Sequence, residues 1–300
     1  MVAFDSPLWK RLNGLDGSVG TAAAEVLQRM VKDEGEALQA DLRQLALALM
    51  RGTRVNELTA AAFPHLVAQA LLHRQIYDRL SILNLLSVLK PLMLGADLSG
   101  MEERLWQGYW ESVYQLQRMT AHYLQPEACA ELNEENRPFL ARLYFLLVGQ
   151  AADTLPFLLY SPFDAAFHIK CLDCGCDLYS MHVTPDALGE IPDITPCADE
   201  AAGGAVYQWF MDVLRRMEEP YYSKIMPYLY GFNRCPVCGQ SNQVMALAQA
   251  YVEAEICPLA AHDRAEIAYL QAVAEAAGDN AERRRFYQQL AQLMSQGFKI

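Results

Sequence analysis

Apolar residues recur at three- and four-residue steps through most of this chain, a period that predicts helices far more often than strands. From Val19 to Arg51 the positions Val26, Leu27, Met30, Leu38, Leu42, Leu45 and Leu49 keep to one face. Gly52 stands where a helix stop belongs. A second helical stretch begins near Asn56 or Phe63 and runs to about Leu80, with Pro64 as a first-turn residue. Ile82 to Leu89 is apolar almost all round, which predicts the centre of a core, and Pro91 and Gly95 mark its end. Ser99-Gly-Met-Glu102 reads as a capping box opening a helix over 100–123, and Asn133 opens another that reaches Gly149.

Beyond Tyr160 the pattern changes. Ser161-Pro-Phe-Asp164 carries a cap serine and a first-turn proline, so a short helix over 162–168 is expected. Leu178 to Val183 alternates as a short strand does. Residues 185–204 form a loop rich in Pro, Asp and Gly, and Val206, Trp209, Phe210, Val213, Leu214 and Met217 lie on one face of a following helix. Pro220 to Phe232 shows no period and reads as irregular and aromatic. Two further helices are expected at 242–276 and 280–296. The expected organisation is a helical domain over 1–160, a distinct module over 161–245, and C-terminal helices over 246–300 that pack on the body.

Two cysteine clusters mark the module: Cys171-Leu-Asp-Cys174-Gly175 and Cys235-Pro-Val-Cys238-Gly239, with 60 residues between Cys174 and Cys235. A CxxC turn brings two thiolates to one ion, and the following glycine lets the backbone curl round the sulfur. Zinc takes four such ligands at tetrahedral corners. Cys171, Cys174, Cys235 and Cys238 are therefore the candidate metal ligands. Both clusters resemble the knuckles of zinc ribbons and rubredoxins. That resemblance covers about ten residues and implies two hairpins clamping zinc or iron. The fold expected is mainly α: a multi-helix array with an embedded zinc-ribbon-like module that carries a helical insertion. Structural zinc is preferred to iron because the chain shows no other electron-transfer feature, although four sulfurs accept either metal. Cys176, His168 and His182 flank the first knuckle as second-shell hydrogen-bonding groups or alternative ligands.

Composition narrows the function. The 300 residues carry a formal charge of −12, divided as −3 before residue 150 and −9 after it. Negative charge repels a phosphate backbone, which weighs against nucleic acid as a partner. A nucleic-acid-binding zinc protein would need a basic stripe built from residues such as Arg215, Arg216, Lys224, Arg234 and the Arg283-Arg284-Arg285 run. Eight cysteines, four of them in CxxC pairs, read as metal ligands in a reducing compartment rather than as disulfides. Met1 to Gly20 lacks the apolar core of a secretory leader, and no apolar run approaches membrane-spanning length, so a cytoplasmic location with no membrane contact is expected.

No HExxH, GxSxG or phosphate-binding GxxxxGK[ST] pattern occurs. His65 and His73 lack an acidic partner at matching spacing, and His262 with Glu266 reads as a surface pair. Tyr221, Tyr222, Tyr228, Tyr230 and Phe232 bring the apolar area with polar tips common at recognition surfaces, and form the candidate partner surface. The expectation is a non-catalytic adaptor, assembly or regulatory protein that works through protein contacts. The alternatives are an enzyme with its pocket in the helical body and the nucleic-acid-binding zinc protein.

Overall fold

The computed structural model of the chain describes residues 1–51, 54–94, 96, 101–123, 137–148, 154, 157, 169–178, 194–198 and 200–255. The chain divides into two compact units. Met1–Tyr123 with Arg142–Leu147 form the first, and Leu124–Ala141 with Val148–Ile300 the second. The described residues are mainly helical, and none of their helices is long and apolar enough to cross a membrane.

In the first unit a 3-10 turn over Pro7–Lys10 leads into α1 (Gly20–Arg29), α2 (Gly35–Leu49), α3 (Glu57–Leu72), α4 (Ile76–Leu94) and α5 (Glu103–Tyr123). The 3-10 turn drives Trp9 completely into the core, where its indole N–H donates to the Ala3 carbonyl at 2.9 Å. α3 is the central element. It packs on α1, α2, α4 and α5, and its sequence is apolar except for Glu57, Thr59, His65 and Gln69. The Asn56 side chain accepts the Leu58 and Thr59 N–H groups, and the Thr59 hydroxyl accepts the Asn56 N–H, which completes a capping box.

Four expectations are corrected here. The run from Val19 to Arg51 is two helices, because the chain turns after Arg29 and restarts at Gly35, whose φ of +56° a side chain would strain. The stretch from Asn56 to Leu80 also breaks, since His73 is extended and ends α3. Pro64 therefore sits mid-helix rather than in the first turn. Pro91 does not stop α4, which continues to Leu94. Periodicity alone did not locate these boundaries because the apolar face continues through each turn.

A helix α6 (Arg137–Val148) precedes the second unit's short strands. There β1 (Ile169–Lys170) pairs antiparallel with β2 (Asp177–Leu178). A separate antiparallel sheet has the order β3 (Ile194–Thr195), β4 (Phe232–Arg234), β5 (Ser241–Gln243). Between β3 and β4 lie α7 (Glu200–Arg216), kinked at Gly204, and α8 (Pro220–Leu229); α9 (Val244–Glu255) follows β5 directly. β3 falls inside a segment expected to be loop. Two residues carry no readable period, and this strand exists because β4 offers it a partner. The short helix expected over 162–168, the strand residues beyond Leu178 and the helix over 280–296 lie outside the described residues.

The largest departure is α8. Pro220 to Phe232 was expected to be irregular, yet Pro220–Leu229 is helical. Pro220 occupies the first helical position, where its missing N–H costs nothing. The carboxylate of Glu219 caps the helix, accepting the Tyr221 N–H at 2.9 Å and the Tyr222 N–H at 2.7 Å. Glu219 is 1% exposed, and burial pushes its carboxyl above the usual range against the opposing pull of those N–H groups and of Arg137. Glu219→Ala removes the cap and leaves the Tyr221 and Tyr222 N–H groups without their acceptor. The expected cost is roughly 1–2 kcal/mol in chemical denaturation of the second unit. Glu219→Gln, which keeps one acceptor oxygen, should lose less.

Candidate metal centre

The two knuckles are built alike. In the first, the Cys171 N–H donates to the Cys176 carbonyl and the Gly175 N–H to the Cys171 carbonyl, both at 3.0 Å. In the second, the Cys235 N–H donates to the Gln240 carbonyl at 2.8 Å and the Gly239 N–H to the Cys235 carbonyl at 2.9 Å. Each turn closes only if the residue after the second cysteine takes a left-handed backbone, and Gly175 and Gly239 do so with φ of +70° and +74°. Each knuckle also directs backbone N–H groups at its sulfurs. The N–H groups of Val237 and Cys238 face Cys235, that of Cys176 faces Cys174, and that of Gln240 faces Cys238. Hydrogen bonds of this kind favour thiolate over thiol.

The four sulfurs converge. All lie within 4.8 Å of one another. Cys171 Sγ is 3.6 Å from Cys238 Sγ, and Cys174 Sγ is 3.7 Å from Cys235 Sγ. A tetrahedron with metal–sulfur bonds of about 2.3 Å has sulfur–sulfur edges of about 3.8 Å. The two measured pairs therefore sit close to the edge length that an enclosed ion would set. They are also crossed, with the first cysteine of each knuckle against the second of the other. Cys171 and Cys235 are buried, and Cys174 and Cys238 face solvent. The tip of the first knuckle is tied to β5 by a hydrogen bond from Asn242 Nδ2 to Asp173 Oδ2 at 3.2 Å.

Without a cation the thiols cannot all ionise together. The Cys238 N–H draws the Cys235 thiol down to about 6. Cys174 is also lowered, chiefly by the Cys176 N–H. The Gln240 N–H favours the Cys238 thiolate, but desolvation and the neighbouring sulfurs outweigh it and push that thiol up to about 12. A divalent cation removes this conflict by supplying the missing positive charge. The donor set fits zinc and ferrous or ferric iron alike, and all four positions are filled by protein.

Cys176 lies outside the four-sulfur set but touches it. Its Sγ is 3.3 Å from Cys235 Sγ. His168 and His182 lie outside the described residues.

The aromatic tract is mostly turned inward. Tyr222 and Tyr230 are 2% and 6% exposed, Tyr221 and Tyr228 are half-buried, and Phe232 is exposed. Tyr222 and Tyr230, expected as members of a partner surface, are buried in the structure. Tyr222 packs against Phe210 and Phe157 with ring centres 6.3 and 5.7 Å away, and Tyr230 packs on Tyr207 at 5.2 Å. Helical spacing, hidden by two prolines, aims these rings at α7. Among the described residues, the large apolar side chains that reach solvent near the metal centre are Leu172 and Val237, one in each CxxC turn, together with Phe232. Leu172 and Val237 were missed as surface candidates. The signal was present, since the two middle residues of a CxxC turn stand at its tip.

Comparison of the chain with models of known protein families, with curated proteins and with solved structures finds no match.

Proposed function

We propose that the protein is a non-catalytic adaptor or assembly factor whose second unit is pinned by one structural zinc at Cys171, Cys174, Cys235 and Cys238, forming a zinc-ribbon-like module with a helical insertion. The carrying observation is the closure of the ligand set. Four sulfurs at tetrahedral spacing leave no position for water or substrate, so the ion holds structure rather than performing chemistry. The reading in terms of protein contacts is supported by the exposed apolar side chains that the knuckles carry. Leu172 is 54% and Val237 72% exposed, and rigid turns hold both. An apolar side chain fixed in solvent loses little conformational entropy when a partner covers it.

The test is purification of the full chain from native cells under mild conditions, with metal and partner measured on the same sample. The expected result is one zinc per chain, no visible absorption and a stable protein partner. Leu172→Asp combined with Val237→Asp should release the partner while keeping the zinc. A coloured, iron-loaded protein would overturn the zinc assignment, and a partner indifferent to both substitutions would overturn the contact surface.

A further inference from the structure

The pseudo-symmetry of the two knuckles leaves one residue unexplained. Gln240 and Cys176 hold the same place, immediately after the left-handed glycine, and each donates its backbone N–H to the second cysteine of its knuckle. Their side chains differ in placement. Gln240 is exposed, whereas Cys176 is half-buried with its sulfur against Cys235 at 3.3 Å. Its place outside the set of four mutually close sulfurs makes it a fifth thiol in contact with a ligand.

We propose that Cys176 and Cys235 form a modification site, a thiol pair that a hydroperoxide converts to a disulfide with ejection of the bound metal. The inference rests on the zinc reading above. Cys176 is the more accessible member of the pair, since Cys235 is only 2% exposed. Within this pair the oxidant therefore meets Cys176 first. The sulfurs of Cys235 and Cys174, with burial, hold Cys176 as a thiol, so its proton leaves as the sulfur attacks the peroxide O–O bond; the alcohol departs with that proton and a sulfenic acid remains. Cys235, a zinc-bound thiolate, then attacks the Cys176 sulfur. The S–O bond breaks, the hydroxide takes up a proton and leaves as water, and the Cys235–zinc bond is given up to the new S–S bond. The net change consumes one thiol, one thiolate, one hydroperoxide and one proton, and yields one disulfide, one alcohol and one water. Two electrons pass from sulfur to oxygen. The sulfurs must close from 3.3 Å to about 2.05 Å, a movement within reach of side-chain rotation. Three cysteines then remain for an ion that needs four ligands, and the metal is released.

The experiment uses the zinc-loaded full chain treated with hydrogen peroxide, with released zinc followed by a chromophoric chelator and disulfides located by peptide mapping. The expected result is a Cys176–Cys235 disulfide that appears in step with zinc release, and restoration of zinc binding by a dithiol reductant. Cys176→Ser should hold one zinc and slow peroxide-driven release at least tenfold. Cys176→Gln, which supplies the residue of the equivalent knuckle, should behave in the same way. Variants that release zinc as fast as the parent overturn the proposal, as does a disulfide confined to the four ligand cysteines. Loss of zinc stoichiometry in both variants before any peroxide is added would make Cys176 a ligand, and this too overturns it. A parent chain that carries no zinc at all would instead overturn the zinc reading.

Discussion

Stripping the metal with a strong chelator at neutral pH is expected to unfold the second unit around β1, β2, β4 and β5 while the first unit keeps its helices. These strands are two or three residues long. Hairpins so short do not persist on their own in water. What closes them is the cluster of four sulfurs, which once deprived of a cation loses the bonds that hold one knuckle to the other. Structural zinc in comparable tetrahedral sites contributes on the order of 10–16 kcal/mol at neutral pH, more than the whole stability of many domains. Hydrogen exchange offers the cleanest measurement. The Cys171, Gly175, Cys235 and Gly239 amides, each bonded across a knuckle, should lose protection. Amides in the middle of α3 should keep theirs. Cys235→Ser should weaken metal binding by roughly 100-fold or more, since the loss of a group that only hydrogen-bonds a ligand already costs about 10–100-fold. Acid should act in the same direction. A metal ligand must be deprotonated, so affinity falls with pH, and below the Cys235 value of about 6 even the most acidic thiol identified in the site takes its proton back. Retention of all four amide protections after complete metal removal would show that the knuckles fold without an ion.

The parts of this site that could be read in advance are those fixed by short-range covalent geometry. A cysteine pair two residues apart followed by glycine specifies its own turn, and Gly175 and Gly239 adopt the backbone that the pattern requires. The doubling of the pattern pointed to convergence across 60 intervening residues, and the sulfurs do meet. What the sequence concealed depends on tertiary partners. α8 begins at an unusual buried Glu219 cap and contains Pro220 and Pro227, so its period is broken at the positions where a reader looks for it. Tyr222 and Tyr230 looked like surface residues because their polar tips are visible in sequence, whereas Phe210 and Tyr207, which bury them, lie on another helix. β3 is two residues that become a strand only beside Phe232 and Asn233. In the helical unit the apolar faces were legible and the breaks were not. The break before α2 turns on a backbone conformation at Gly35, and a mid-chain glycine does not by itself announce it.

Acidification from pH 6.5 to pH 4 is expected to destabilise the first unit by about 3 kcal/mol through one residue, His65. Its imidazole is 4% exposed on α3, enclosed by Phe4 with ring centres 4.3 Å apart and by Trp9 at 5.7 Å. The Val2 carbonyl can only accept, so the His65 Nε2 that lies 2.8 Å from it carries the proton. Burial penalises the imidazolium and drives the pKa down to about 4; the Val2 carbonyl opposes this, and the N-terminal ammonium adds to it. The sign follows from linkage. The unfolded chain binds a proton near pH 6.5 and the folded chain only near pH 4, so between those values the unfolded state holds more protons and stability falls as the pH drops. Well above pH 6.5 the residue is neutral in both states and its contribution is flat. Asp16 cannot mimic this effect, because its hydrogen bonds from Ser18 hold its carboxyl below its usual value and its protonation comes at still lower pH. Urea midpoints of the first unit, followed by the buried Trp9 environment across this range, give the measurement. His65→Gln keeps a side-chain N–H for the Val2 carbonyl and carries no titrating group. It should abolish the slope between pH 6.5 and 4 while leaving the N-terminal arm docked. An unchanged slope in that variant would assign the acid sensitivity to other groups and remove His65 as its source.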